Sequence, residues 1–104
     1  MILPSKELLS SVLGVVVESV NGRTNSDIKY IVSMGGYKFI NIYELQHKMK
    51  EWAYIKGIML QSYPYNNKGR CDALKGLDID ESFKADTEFE AVVIAAEYIL
   101  KDKR

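Results

Sequence analysis

Ile28-Lys29-Tyr30-Ile31-Val32-Ser33-Met34-Gly35-Gly36-Tyr37-Lys38-Phe39-Ile40 holds two short β-branched and aromatic runs on either side of a glycine pair. Two glycines in succession suit the positive φ of a tight turn, so the spacing predicts a β-hairpin. Asn41-Ile42-Tyr43-Glu44-Leu45-Gln46-His47-Lys48-Met49-Lys50-Glu51-Trp52-Ala53-Tyr54-Ile55-Lys56-Gly57 follows without a break. Asn41 is a natural N-cap, Ile42, Leu45, Met49, Trp52 and Ala53 share one face, and Gly57 is a C-terminal stop, which together predict an amphipathic helix to about Lys56. A hairpin running straight into a helix is not the β-α-β alternation of a parallel sheet.

Toward the N-terminus, Ser5 can cap a short helix in which Leu8, Leu9, Val12 and Leu13 keep helical spacing, and Gly14 ends it. Val15-Val16-Val17-Glu18-Ser19-Val20 reads as a strand with a turn at Asn21-Gly22. The alternative carries the helix through Gly14, because Leu9, Val12, Leu13, Val16 and Val20 also share a face. The polar residues 21–27 read as a turn-rich connection.

Toward the C-terminus, residues 58–63 read as a strand ended by Pro64, and Asn66-Asn67-Lys68-Gly69-Arg70 as a hairpin tip. From Cys71 to Ser82 the apolar positions Leu74, Leu77 and Ile79 fit neither period, while Phe83-Lys84-Ala85 reads as a short closing strand. Thr87 with Glu90 forms a capping box, and Phe89, Val92, Val93, Ala96, Ile99 and Leu100 mark the core face of a last helix to about Lys101. Lys101, Lys103 and Arg104 carry the charge that a helix C-terminus favours. The expected order is α-β-β-β-α-β-(β)-α: an α+β fold with a mainly antiparallel sheet of three to five strands and helices packed on it.

The 104 residues, 47% hydrophobic and 27% charged, suit one domain spanning residues 1–104 and leave no room for a second core. Fourteen basic residues balance fourteen acidic ones, which is not the profile of a dedicated duplex-DNA binder and favours self-association slightly. Cys71 is the only cysteine, so neither an intrachain disulfide nor a thiolate zinc site arises from this chain, as fits a reducing cytoplasm. No secretory n-region or membrane-length apolar run occurs, and an intracellular protein without a membrane partner is expected.

Two charge blocks stand out. Lys48, Lys50, Lys56, Lys68 and Arg70 face Glu51 alone between residues 48 and 70, interleaved with Trp52, Tyr54, Tyr63 and Tyr65. Cations supply what phosphates need and rings supply what unpaired bases need, which makes Lys50, Lys56, Tyr63, Tyr65, Lys68 and Arg70 the candidate contacts for single-stranded nucleic acid or another partner. No RRM, KH or helix-turn-helix signature accompanies them. Asp72, Asp78, Asp80, Glu81, Asp86, Glu88, Glu90 and Glu97 then outnumber Lys75 and Lys84, and the two blocks can neutralise each other within the chain.

Asp78-Ile79-Asp80-Glu81 lacks the glycine and downstream glutamate of a calcium loop and reads as a solvated segment. His47 and Cys71 are the only imidazole and thiol; the Asp72 charge disfavours a thiolate, and no nucleophile motif surrounds them. No cofactor motif is present. Ala91-Val92-Val93-Ile94-Ala95-Ala96 is apolar almost all round, so the second face of that helix, with Ala91, Ile94, Ala95 and Tyr98, is expected either to pack inside the chain or to meet a second copy.

Lys6-Glu7-Leu8-Leu9, Asn41-Ile42-Tyr43-Glu44-Leu45-Gln46-His47-Lys48 with Glu51-Trp52-Ala53, and Ala85-Asp86-Thr87-Glu88-Phe89-Glu90-Ala91 resemble small uncharacterised phage and prophage proteins of the α/β (ABA) sandwich group. The resemblance covers roughly the last two-thirds of the chain and rests on helix caps and core faces, so it implies a mobile-element accessory protein and assigns no site residue. The expected function is a non-enzymatic interaction protein that binds a macromolecular partner, with a homodimer as one form. The alternative is a single-stranded nucleic-acid binder, and a third reading is a small enzyme using His47 and Cys71 or the carboxylates of Asp78 to Glu81.

Overall fold

The computed structural model describes residues 2–24, 26–76 and 78–102. Met1, Asn25 in the first polar connection, Leu77 in the unassigned stretch, and Lys103 and Arg104 at the basic end lie outside the described residues. The chain is α+β, in the order α1 (Lys6–Leu13), β1 (Val17–Thr24), β2 (Asp27–Val32), β3 (Gly36–Asn41), α2 (Ile42–Ile55), β4 (Met59–Tyr65), β5 (Lys68–Lys75), β6 (Asp78–Ala85) and α3 (Glu88–Asp102). The strands form two three-stranded antiparallel meanders, β1-β2-β3 and β4-β5-β6, where one sheet was expected.

Local chemistry explains most boundaries. Ser5 Oγ accepts the Leu8 N–H at 3.1 Å and starts α1, which ends at Gly14 with φ 71. Asn41 Oδ1 accepts the Tyr43 N–H at 2.9 Å and starts α2. Thr87 Oγ1 accepts the Glu90 N–H at 3.2 Å at the start of α3. Each supplies an acceptor to an amide that the first helical turn leaves without one.

Three sequence expectations are corrected. Asn21-Gly22 is not a turn: β1 runs through it with register slips between Val17/Ser19 and Val20/Gly22, and Thr24 pairs with Asp27. An edge strand accommodates a bulge there, with Gly22 at φ 144, a conformation open to glycine. Pro64 does not end its strand; it lies inside β4, opposite Gly69, and β4 is an edge strand where a missing N–H need break no ladder bond. The hairpin tip shrinks to Asn66 and Asn67, both at positive φ (51 and 62), the two-residue turn whose twist matches the strands. Residues 71–85 complete β5 and supply β6.

The helices cover one face of the second sheet. α3 packs across β4, β5 and β6, and α2 packs on α3 and β4. Gly69, Cys71 and Ala73 on β5 are buried on that side. Gly69 is there because nothing larger fits: a Cβ would sit 2.2 Å from the Glu88 nitrogen and the Thr87 carbonyl carbon. The buried apolar side chains of both sheets and all three helices make one cluster, with Leu8, Leu9, Ile28, Leu45, Met49 and Val92 among its fully enclosed members.

The first residues are tied down by α3. Glu90 Oε2 accepts the Ile2 N–H at 2.7 Å, and Glu97 accepts from both the Ser5 N–H at 2.7 Å and the Ser5 hydroxyl at 3.0 Å. Glu90 is thus more than a helix-start charge. Burial pushes its carboxyl up, and the bonds from Ile2 and Thr87 with nearby positive charge outweigh this and hold it below its ordinary value.

Candidate functional site

The side of the second sheet away from the helices is open. Strand alternation puts Tyr63 and Tyr65 of β4, Lys68, Arg70 and Asp72 of β5, and Ser82 and Lys84 of β6 on that side. The register fixes their rows: Tyr65 faces Lys68, Tyr63 faces Arg70 and Arg70 faces Lys84, and Gln61 faces Asp72, which faces Ser82.

Asp72 organises the centre. It is only 5% exposed. Its Oδ1 accepts from Arg70 Nε at 2.9 Å and Ser82 Oγ at 2.7 Å, and its Oδ2 accepts from the Tyr63 hydroxyl at 2.9 Å. Arg70 Nη2 also donates to Ser82 Oγ at 3.2 Å. Burial pushes the Asp72 carboxyl up, but the bonds from Ser82, Arg70 and Tyr63 with the Arg70 charge outweigh it, and the group stays ionised below its ordinary range. The same bond to Asp72 is the main reason the Tyr63 phenol is lifted above its usual value.

Asp72 fixes Arg70, and Arg70 fixes the rings. Its guanidinium lies 5.9 Å from the Tyr63 ring centre and 5.4 Å from that of Tyr65, and Lys84 Nζ stands 5.1 Å from the Tyr65 ring. Tyr65, Asn66, Lys68, Gly69 and Lys84 line a shallow pocket of about 270 Å³ at this end. Lys68 Nζ is 3.8 Å from Asp86, both side chains being largely in water, so that pair contributes little. Lys84 has no carboxylate within ion-pair distance among the described residues.

Four of the six contacts expected from the sequence, Tyr63, Tyr65, Lys68 and Arg70, therefore meet on one surface. Lys50 and Lys56 do not join them, because α2 lies on the helix-covered side, where Gln46 Nε2 donates to Ser62 Oγ at 3.3 Å. Lys56 instead stands 5.1 Å from the Trp52 ring centre. Asp72 and Lys84 were missed as partners. The signal was the i, i+2 alternation of Lys68, Arg70 and Asp72, hidden while residues 71–82 had no strand.

The remaining candidates are separated or enclosed. His47 is exposed and 3.6 Å from Glu51, whereas Cys71 is fully buried and its thiol is pushed up to about 12, chiefly by burial. Asp78, Asp80 and Glu81 are exposed on β6 with Lys75 3.8 Å from Asp80, and no group of three or more His, Cys, Asp or Glu among the described residues is placed to hold a metal ion. Ala91 and Ala95 are wholly buried inside the chain, which removes them as contacts for a second copy. Ile94 and Tyr98 border a groove of about 790 Å³ with Ile2, Leu3 and Phe83, and the Tyr98 ring lies 5.3 Å from Phe83. No described helix is long and apolar enough to cross a membrane. No family model matches the chain, and no curated protein or solved structure matches it.

Proposed function

We propose that the protein is a non-enzymatic binding module, of the phage accessory kind its sequence resembles, and that it takes single-stranded nucleic acid on the open face of its second sheet. The observation that carries this reading is the Arg70–Lys84 pair. Asp72 already pairs with Arg70 at 2.9 Å, whereas Lys84, opposite Arg70, has no carboxylate within ion-pair distance among the described residues, so a phosphate beside Lys84 supplies the missing counter-charge. Tyr65, 39% exposed beside both cations, offers a π face to an unpaired base, and Lys68 extends the positive end along the strand. An open sheet face suits splayed bases rather than a closed duplex. The full burial of Cys71, which pushes its thiol up to about 12, and the exposure of His47 beside Glu51 support a binding role over nucleophilic catalysis.

The test is fluorescence anisotropy with a labelled single-stranded oligonucleotide over a salt series. Contacts from Lys68, Arg70 and Lys84 give a log–log salt slope of about −2, hence a loss of about tenfold or more between about 50 and 200 mM salt. Lys84→Glu and Tyr65→Ala each weaken binding at least about fivefold, while Lys56→Glu on the helix side leaves it unchanged. Arg70 is kept because it also holds Asp72. Absence of binding at low salt, or binding indifferent to Lys84→Glu, overturns the reading.

A further inference from the structure

Each three-stranded sheet has two edges, and an open edge presents unpaired amides and carbonyls to any other strand. β1 is interrupted by two register slips. β4 carries Pro64. β6 carries Asp78, Asp80, Glu81 and Lys84 and a register slip opposite Ala73/Leu74. Bulges, proline and charge are the devices that keep edges from pairing. β3 has the fewest of them: it pairs with β2 in unbroken register, contains no proline, and has Lys38 as its single charge. Gly36 to Phe39 are all exposed, and among the described residues β3 makes no backbone hydrogen bond outside its own sheet. Its outer face carries Tyr37 at 59% and Phe39 at 63% exposure, with Lys29 Nζ 4.0 Å from the Tyr37 ring centre.

We infer that β3 is a strand-pairing edge and that its partner is β3 of a second copy of this chain, giving a two-fold dimer with a continuous six-stranded sheet. An antiparallel copy presents the same donors and acceptors to the edge that the edge presents to it, so closure needs no further complementarity. The net charge of +0 removes the repulsion between whole molecules. A two-fold axis normal to the sheet keeps every residue on its own side. The register that sets Tyr37 opposite Phe39 of the second copy forms two cross-strand aromatic pairs on the outer face. That register also sets Lys38 against its own copy, which keeps the association weak and reversible. The interface lies on the first sheet, away from the Arg70–Lys84 face, and does not depend on the nucleic-acid reading.

Sedimentation equilibrium of the full chain tests it, with amide hydrogen exchange at low and high protein concentration to locate the contact. The expected result is a concentration-dependent dimer in which amides of residues 36–40 gain protection and those of β4 and β6 do not. Phe39→Lys, at an exposed position that leaves the core intact, weakens dimerisation by about tenfold or more, and Lys38→Ala strengthens it several-fold by removing the like-charge pair; circular dichroism confirms that both remain folded. A monomer up to about 1 mM, a dimer whose protection falls on residues 94–98 instead, or a dimer indifferent to both variants overturns the inference. Oligonucleotide binding by Phe39→Lys, measured in parallel, reports separately on the second sheet.

Discussion

Replacing Asp72 with alanine removes the acceptor for three side-chain donors at once. Tyr63, Arg70 and Ser82 each bond to it at 2.7–2.9 Å, and its carboxylate is almost fully enclosed. Hydrogen bonds to an ionised group contribute about 1.5–3 kcal/mol each when buried, but these do not add, and the Arg70 side chain is 23% exposed and recovers water when released. The expected loss is about 2–3 kcal/mol. For a chain of this length that lowers Tm by about 10–20 °C, readable by far-UV circular dichroism and by urea denaturation at constant m. Tyr63→Phe deletes one bond and leaves the other two, so it costs about 1 kcal/mol. The pH dependence has a definite sign. The folded carboxyl lies below its ordinary value, so its contribution is present above the unfolded pKa of about 3.9 and disappears as pH falls through the folded value. The stability gap between wild type and Asp72→Ala accordingly closes in acid. An Asp72→Ala protein within about 0.5 kcal/mol of wild type at neutral pH refutes the idea that this carboxylate organises the face.

Gly69→Ala forces a Cβ to within 2.2 Å of the backbone at Thr87 and Glu88; backbone cannot step aside as a side-chain tip can, so a loss of about 3 kcal/mol is expected in urea denaturation. The Cys71 thiol, pushed up to about 12, stays protonated while an unfolded cysteine ionises from about pH 8.5, so stability falls as pH rises between those values. A Cys71→Ala variant loses that part of the alkaline slope, and native wild type reacts with a thiol reagent only at the rate of its unfolding. Prompt labelling of the folded protein contradicts the burial.

The parts of this fold written in local chemistry were legible. Ser5, Asn41 and Thr87 act as caps where capping requires, a hairpin does form at the glycine pair, although its turn is residues 33–35 and of the two glycines only Gly36, already in β3, has a positive φ, and the apolar stripes of α2 and α3 face inward. What escaped was decided by neighbours in space. Asn21-Gly22 has a hairpin signal, yet pairing of Arg23 with Ile28 and Thr24 with Asp27 carries the strand past it. Pro64 reads as a stop, yet an edge strand tolerates it. In residues 71–82 the apolar period is broken because Leu74 and Ile79 pair on the same side as Asp72 and β6 slips register at Asp80, so only the polar positions Lys68, Arg70 and Asp72 alternate. The basic-aromatic cluster was legible as composition but not as geometry: Lys50 and Lys56 belong to a helix on the far side, and Lys84, from the acidic block, takes their place.

We propose the open face of β4, β5 and β6 as the working surface. Titrating ¹⁵N-labelled protein with a short single-stranded oligonucleotide and following its amide and side-chain resonances tests this residue by residue. Progressive shifts are expected at Tyr65, Lys68, Arg70 and Lys84, with α2 and the first sheet unmoved. Shifts confined to α2 or to the groove beside Ile94 and Tyr98, or none at low salt, would contradict the proposal.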